Sequence, residues 1–254
     1  MAEEVCPQCG GSGWKIVERD GISGAERCEC AKEERSGRLE EAAGIPPLYR
    51  NASFDSFQIP KDNDLAARDL SAIRQTVLNY AHEFPTGQKP GLLLIGDPGT
   101  GKTHLAVAAL RRIIAKGFQG VFFDYQNLLD RIRSGFDANS GSSDREAYRD
   151  ALEAEVLLLD DLGAHRVLPW IEDVVTSIIT QRCNNRLALI ATTNLPDPDA
   201  GDRFSGKLPD GTTDIRRKLV EQIGERARSR LFEMCKVVRM PLVRDYRLRK
   251  TAAW

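Results

Sequence analysis

The sequence contains no apolar run near the roughly 18 residues needed to span a bilayer. Its longest, Leu105–Leu110, is far too short. The N-terminal MAEEVC is acidic and lacks the apolar stretch of a signal peptide, so a cytoplasmic chain without a membrane partner is expected. Thiols stay reduced there, so the 6 cysteines point to metal binding or chance rather than to disulfides. The 3 histidines, His82, His104 and His165, are dispersed, and none has the spacing of a metal ligand. Net charge is also nearly absent, at −1, which alone argues against a nucleic-acid partner. That sum hides a split. Residues 203–254 hold 14 Lys/Arg against 6 Asp/Glu, and residues 1–202 hold 22 against 31. Such asymmetry reads either as a surface that meets an anion or as a well-solvated C-terminal helix.

The 254 residues allow one large domain and one small one. Four cysteines fall within the first 30 residues, as Cys6-Pro-Gln-Cys9 and Cys28-Glu-Cys30. Between them an alternating stretch, Lys15–Arg19, runs into the turn signal Asp20-Gly21, so a hairpin should bring the two pairs together. Residues 31–43 read as a charged linker helix ended by Pro46-Pro47. The boundary is expected there, with a module at 1–43 and the main domain at 44–254. Helical spacing runs from Asp64 to Phe84. Strands Gly91–Ile95, Val121–Tyr125, Val156–Leu159 and Leu187–Thr192 then alternate with helices Lys102–Lys116, Gln126–Arg133, Arg145–Ala154 and Trp170–Asn184. That alternation predicts a mostly parallel sheet flanked by helices. A Pro/Gly-rich loop, residues 195–213, precedes a helix at Asp214–Cys235 and a short basic end.

Gly96-Asp97-Pro98-Gly99-Thr100-Gly101-Lys102-Thr103 matches G-x4-G-K-[ST] in full and lies between a predicted strand and a predicted helix. Glycines let backbone N–H groups converge on phosphate oxygens, and the helix N-terminus favours negative charge. Lys102 can reach the β- and γ-phosphates, and the Thr103 hydroxyl can ligate Mg²⁺. Val156-Leu-Leu-Leu-Asp160-Asp161 is an apolar strand ending in two acids, which a cation there would balance. Asp160 is expected to hold Mg²⁺ and Asp161 to polarise the attacking water. The loop and the paired acids resemble those of P-loop ATPases, many of which carry Glu where Asp161 stands; one methylene less there implies slow intrinsic hydrolysis. No N-K-x-D motif is present, which favours ATP over GTP.

The pattern C-x2-C-x18-C-x-C offers four thiolates, Cys6, Cys9, Cys28 and Cys30, enough for a tetrahedral structural Zn²⁺ site, with four free thiols or an iron–sulfur cluster as the alternatives. A module this small needs such a staple. Cys183 and Cys235 fall within predicted helices and read as core thiols.

The extra strand between the phosphate loop and the acidic strand resembles the additional-strand ATPases. Asn194, after strand Leu187–Thr192, resembles the γ-phosphate sensor of AAA+ ATPases. Gly224-Glu225-Arg226-Ala-Arg228-Ser229-Arg230-Leu231 resembles their arginine-finger segment, with Arg230 as the finger acting in trans and Arg226 as its companion. An exposed basic helix would read the same way. Together with Ile45-Pro-Pro-Leu-Tyr49-Arg50, the His104 that extends the loop to GDPGTGKTH, and Asp245-Tyr246-Arg247, these motifs resemble the bacterial replicative-helicase loaders of the DnaC/DnaI type. The resemblance implies an α/β AAA+ ATPase with a five-stranded sheet and a reduced lid. It implies a protein that uses ATP and Mg²⁺, engages a hexameric replicative DNA helicase and delivers it to single-stranded DNA. The zinc module would contact the helicase. Arg131, Arg133 and Phe136 would meet DNA, or else only solvate a helix and fill a core. An IstB-type transposition helper and a nucleotide-switch adaptor with little hydrolysis are the alternatives.

Overall fold

The computed structural model describes residues 6–19, 22–60, 63–135, 142–165, 168–201 and 217–251. Near the N-terminus, β1 (Trp14–Arg19) and β2 (Ile22–Arg27) form an antiparallel hairpin, as the alternating stretch predicts. Next comes α1 (Glu29–Ala42), and then α2 (Asp64–Glu83), which Asn63 caps by accepting from Ala66 N at 3.0 Å.

The main domain alternates strand and helix: β3 (Gly91–Ile95), α3 (Lys102–Ile114), β4 (Gly120–Asp124), α4 (Tyr125–Gly135), α5 (Ser142–Glu153), β5 (Val156–Asp160), α6 (Pro169–Asn184) and β6 (Ala188–Thr193). It closes with α7 (Leu219–Met234), β7 (Cys235–Arg239) and α8 (Tyr246–Thr251). The five-stranded sheet has the order β4-β5-β6-β3-β7, and every pairing is parallel.

A strand's period of two sorts the core onto two faces. Leu93, Ile95, Leu157, Leu159, Leu189 and Ala191 face the layer containing α4–α7. Leu92, Leu94, Val156, Leu158, Ala188 and Ile190 face α2 and α3. Strands covered on both sides are continuously apolar, which is why β3 and β5 could be read directly from the sequence.

The fifth strand corrects the sequence reading. Cys235 was expected inside a helix, yet it opens β7, and Lys236–Arg239 is sheet rather than an irregular basic end. At the sheet edge Lys236 and Arg239 are exposed and Val237 is only partly buried, so no apolar run marks it. Helix α7 ends at Met234 and is interrupted at Gly224, whose φ of 78° is left-handed.

The linker helix lies on the main domain. Arg111 Nε donates to Glu40 at 2.6 Å, Arg35 donates to the Gly117 carbonyl at 3.3 Å, and Phe122 N donates to the Ala43 carbonyl at 2.7 Å. Among the described residues, no helix is long and apolar enough to cross a membrane.

Candidate nucleotide and metal sites

Parallel α/β sheets gather ligands beyond the carboxyl ends of their strands, where the chain reverses strand order. Here β3 leads through α3 to the far edge strand β4, and β5 and β6 return toward it. The ends of β5, β6 and β3 therefore bring Asp160, Asn194 and the 96–103 loop together. They border a cavity of about 480 Å³.

The loop is shaped so that glycine is required. Gly99 and Gly101 have φ of 73° and 95°; a Cβ would strike the Asp245 carboxylate at the first and the Phe57 ring at the second. Lys102 is nearly buried. Its ammonium donates to Asn194 Oδ1 at 2.6 Å and to the Asp97 carbonyl at 2.9 Å. Burial lowers its pKa from the ordinary 10.5 to about 8, against the pull of Asp161 and Asp160. Asn194 Nδ2 donates to Asp161 Oδ1 at 3.0 Å, so one amide bridges the lysine and the second acid.

Asp160 accepts from the Thr103 hydroxyl at 2.9 Å and from the Thr192 hydroxyl at 2.6 Å. Burial raises its pKa, and the Thr192 bond opposes that rise. A divalent cation beside Thr103 and Asp160 would favour the ionised form, so this oxygen pair fits Mg²⁺. Asp161 adopts a φ of 53°, a left-handed conformation that Asp tolerates better than most residues. Its N–H donates to Thr192 Oγ1 at 3.0 Å.

The structure thus brings Lys102, Thr103, Asp160, Asp161 and Asn194 into one network. Pro98, Gly99, Thr100 and Gly101 line the same cavity. Gly96 packs against Met240, and the Asp97 carbonyl serves Lys102. His104 lines the cavity but is engaged elsewhere: Nε2 lies 2.8 Å from the Ser53 carbonyl and 3.3 Å from Ser56 Oγ, pinning the 53–57 turn.

Phe57, Gln58, Leu70 and Val243 also line the cavity, with no site role expected of them from sequence, and Tyr49, Tyr246 and Arg247 line it from two of the segments that carry the family resemblance. The Tyr246 hydroxyl donates to Gln58 Oε1 at 3.0 Å, joining segments 188 residues apart. Thr192 was missed as well, although its position just before Thr193-Asn194 at a strand end is a usable signal.

Arg226 and Arg230 line a different hollow, with Thr176, Thr180, Glu225 and Ser229. Arg230 is held by Glu233 at 2.7 Å. Arg131 and Arg133 lie on α4, with the Arg131 guanidinium 5.6 Å from the Phe123 ring centre. Phe136 lies outside the described residues.

The hairpin gathers Cys6, Cys9, Cys28 and Cys30 so that their sulfurs all lie within 4.8 Å of one another. Cys6 and Cys28 are 3.9 Å apart, and Cys9 and Cys30 are 3.4 Å apart. Sulfurs bound tetrahedrally to zinc at about 2.3 Å stand roughly 3.8 Å apart, so the donor set fits that ion. Partial burial opposes ionisation of Cys9, but hydrogen bonds from the Gly13 and Gly11 backbone and from Cys30 hold its pKa at about 6.

The model of the family described as IstB-like ATP binding protein matches residues 27–207. The replicative helicase loader DnaC of Escherichia coli K12 is 25% identical over 158 residues, which is 61% of this chain and 61% of that protein. The chain therefore spans about three fifths of that relative. A crystal structure of the DnaC helicase loader superposes with a TM-score of 0.60 and 31% identity, covering 77% of this chain and 100% of that one. A crystal structure of DnaI, at 18% identity and a TM-score of 0.54, shares the fold over 80% of this chain and 97% of its own.

Proposed function

The chain belongs to the family of IstB-like ATP-binding proteins, and from that premise we propose that it is an ATPase that loads a replicative DNA helicase onto single-stranded DNA. The carrying observation is the closed network at the strand ends, in which Asn194 touches both Lys102 and Asp161 while Thr103 touches Asp160. Residues 96–103 would cradle the phosphates, and Thr103 and Asp160 would hold Mg²⁺. When bound, the cation would offset phosphate charge. Asp161 would orient water, and Asn194 would register the γ-phosphate through its contacts with Lys102 and Asp161. Asp161 is one methylene shorter than Glu, which supports slow hydrolysis by the isolated chain. Arg230, assisted by Arg226, would act on the ATP of a neighbouring subunit, because it lines a hollow other than the nucleotide cavity.

The helicase and DNA partners are carried over from the DnaC relatives. We assign residues 1–43 to a zinc module and linker helix that meet the helicase, and residues 44–254 to the ATPase domain. The four-cysteine cluster favours this reading over a transposition helper. Capture of the cognate hexameric helicase by the full chain, with and without ATP, tests it. Capture in at least one nucleotide state is expected, and failure in both would overturn the loader reading.

A further inference from the structure

One partly buried ion pair falls outside the roles described above. Asp197, only 1% exposed, accepts two bonds from Arg228, from Nε at 2.5 Å and from Nη2 at 2.7 Å. This fork geometry is specific to arginine. The guanidinium also lies 5.3 Å from the Phe232 ring centre and 3.9 Å from Asp199.

The two partners sit on elements with different tasks. Asp197 lies three residues beyond Asn194, the amide that bridges Lys102 and Asp161. The intervening chain is pinned: Leu195 N donates to Thr193 Oγ1 at 3.1 Å, and Leu219 N donates to the Pro196 carbonyl at 3.0 Å. Arg228 lies on α7 beyond Gly224, where φ 78° and ψ 159° break the helix. Beyond that break Ala227, Leu231 and Met234 bury one side of the helix in the core, and the Arg228 fork adds a polar tie to the segment after Asn194. At about 100° per residue, Arg226 and Arg230 share one side of that helix and Arg228 projects from the opposite side. The clamp therefore grips the helix from behind the two proposed finger arginines.

We propose that Asp197 and Arg228 are a positioning pair that locks α7 beyond Gly224 to the strand end bearing Asn194, so that nucleotide at the pocket sets where Arg226 and Arg230 point. The finger part of this inference rests on the function proposed above. The coupling of pocket to helix does not.

Hydrogen exchange on the full chain tests the coupling, with a non-hydrolysable ATP analogue and Mg²⁺ as the probe. In the parent the analogue should slow exchange of amides 225–234 by about fivefold or more, the lower end of typical coupling between sites. In Asp197→Asn and Arg228→Ala the analogue should still bind with near-parental affinity while that slowing is lost. Arg228→Lys keeps the charge without the fork and should retain part of it. The proposal is overturned if the slowing is absent in the parent or survives in the variants. It is overturned equally if analogue affinity and protection fall throughout the domain, since the pair would then only brace the fold. Hydrolysis by Arg230→Ala separates the two readings. If it matches the parent while Asp197→Asn has lost the exchange response, the finger assignment falls and the coupling stands.

Discussion

Lys102 shows how burial at one residue prepares a site for its ligand. An ammonium with little water around it, held by Asn194 and the Asp97 carbonyl, loses its proton at about pH 8 rather than 10.5. Between those values the unfolded chain holds the proton more tightly, so the free fold gains stability as pH rises through that window. A triphosphate restores the charge. ATP binding should therefore take up a proton at Lys102 above pH 8 and almost none at pH 6.5. Titration calorimetry at pH 9 in buffers of different ionisation enthalpy reads this directly, and equal enthalpies in all buffers would refute it. Lys102→Ala should weaken ATP binding about 100-fold or more, because charge-assisted hydrogen bonds contribute roughly 1.5–3 kcal/mol each.

Thr192 carries a comparable burden without any charge. Its hydroxyl donates to the buried Asp160 carboxylate and accepts from Asp161 N–H. Thr192→Val keeps the shape but leaves both groups one partner short. It should cost about 1–3 kcal/mol of stability by denaturant unfolding. With the Thr192 bond gone, the Asp160 pKa should rise further, and half-saturation should require more Mg²⁺. Unchanged Mg²⁺ dependence would show that Thr192 does not serve the cation site.

At the scale of elements, legibility follows burial. Strands β3 and β5 are covered on both faces and announce themselves as apolar runs, and the glycine loop and paired acids at their ends mark the site. Edge strand β7, with Lys236 and Arg239 exposed among its five residues, carries no such signal. The walls of the cavity were hidden for a different reason. Gln58 and Tyr246 meet only because the chain after β7 folds back over the loop, and no local pattern records a contact 188 residues apart. Arg182 is hidden in the same way. Within the helix it reads as a surface residue, yet it is fully buried, donating to the carbonyls of Ala151, Ala154 and Ala188 at 2.9, 2.8 and 2.6 Å. It caps the end of α5 and ties that helix to α6 and β6, and burial lowers its pKa to about 9. Arg182→Met should cost about 3 kcal/mol or more, because three charge-assisted bonds vanish and buried carbonyls lose their donor. ATP affinity of the folded fraction should be unchanged. A loss of affinity without a loss of stability would contradict this purely structural role.

At the scale of the whole molecule, the split in charge has a local counterpart on α7. Arg226, Arg228 and Arg230 lie within the basic 203–254 segment, and one of the three is already committed to Asp197 inside the same chain. The other two line a hollow separate from the nucleotide cavity, so a finger role requires two subunits, one binding ATP and the next supplying Arg230. That geometry predicts complementation. Lys102→Ala should lose ATP binding but keep a usable finger. Arg230→Ala should bind ATP normally but lack the finger. Each alone should hydrolyse ATP at least about tenfold more slowly than the parent under assembling conditions, a modest fraction of what an arginine finger can supply. Mixed in equal amounts, they form interfaces that pair an intact pocket with an intact finger, and activity should return in part, rising with total protein concentration. Parental activity in Arg230→Ala alone would remove the finger assignment. If both variants are impaired and mixing restores nothing, Arg230 does not act across the interface.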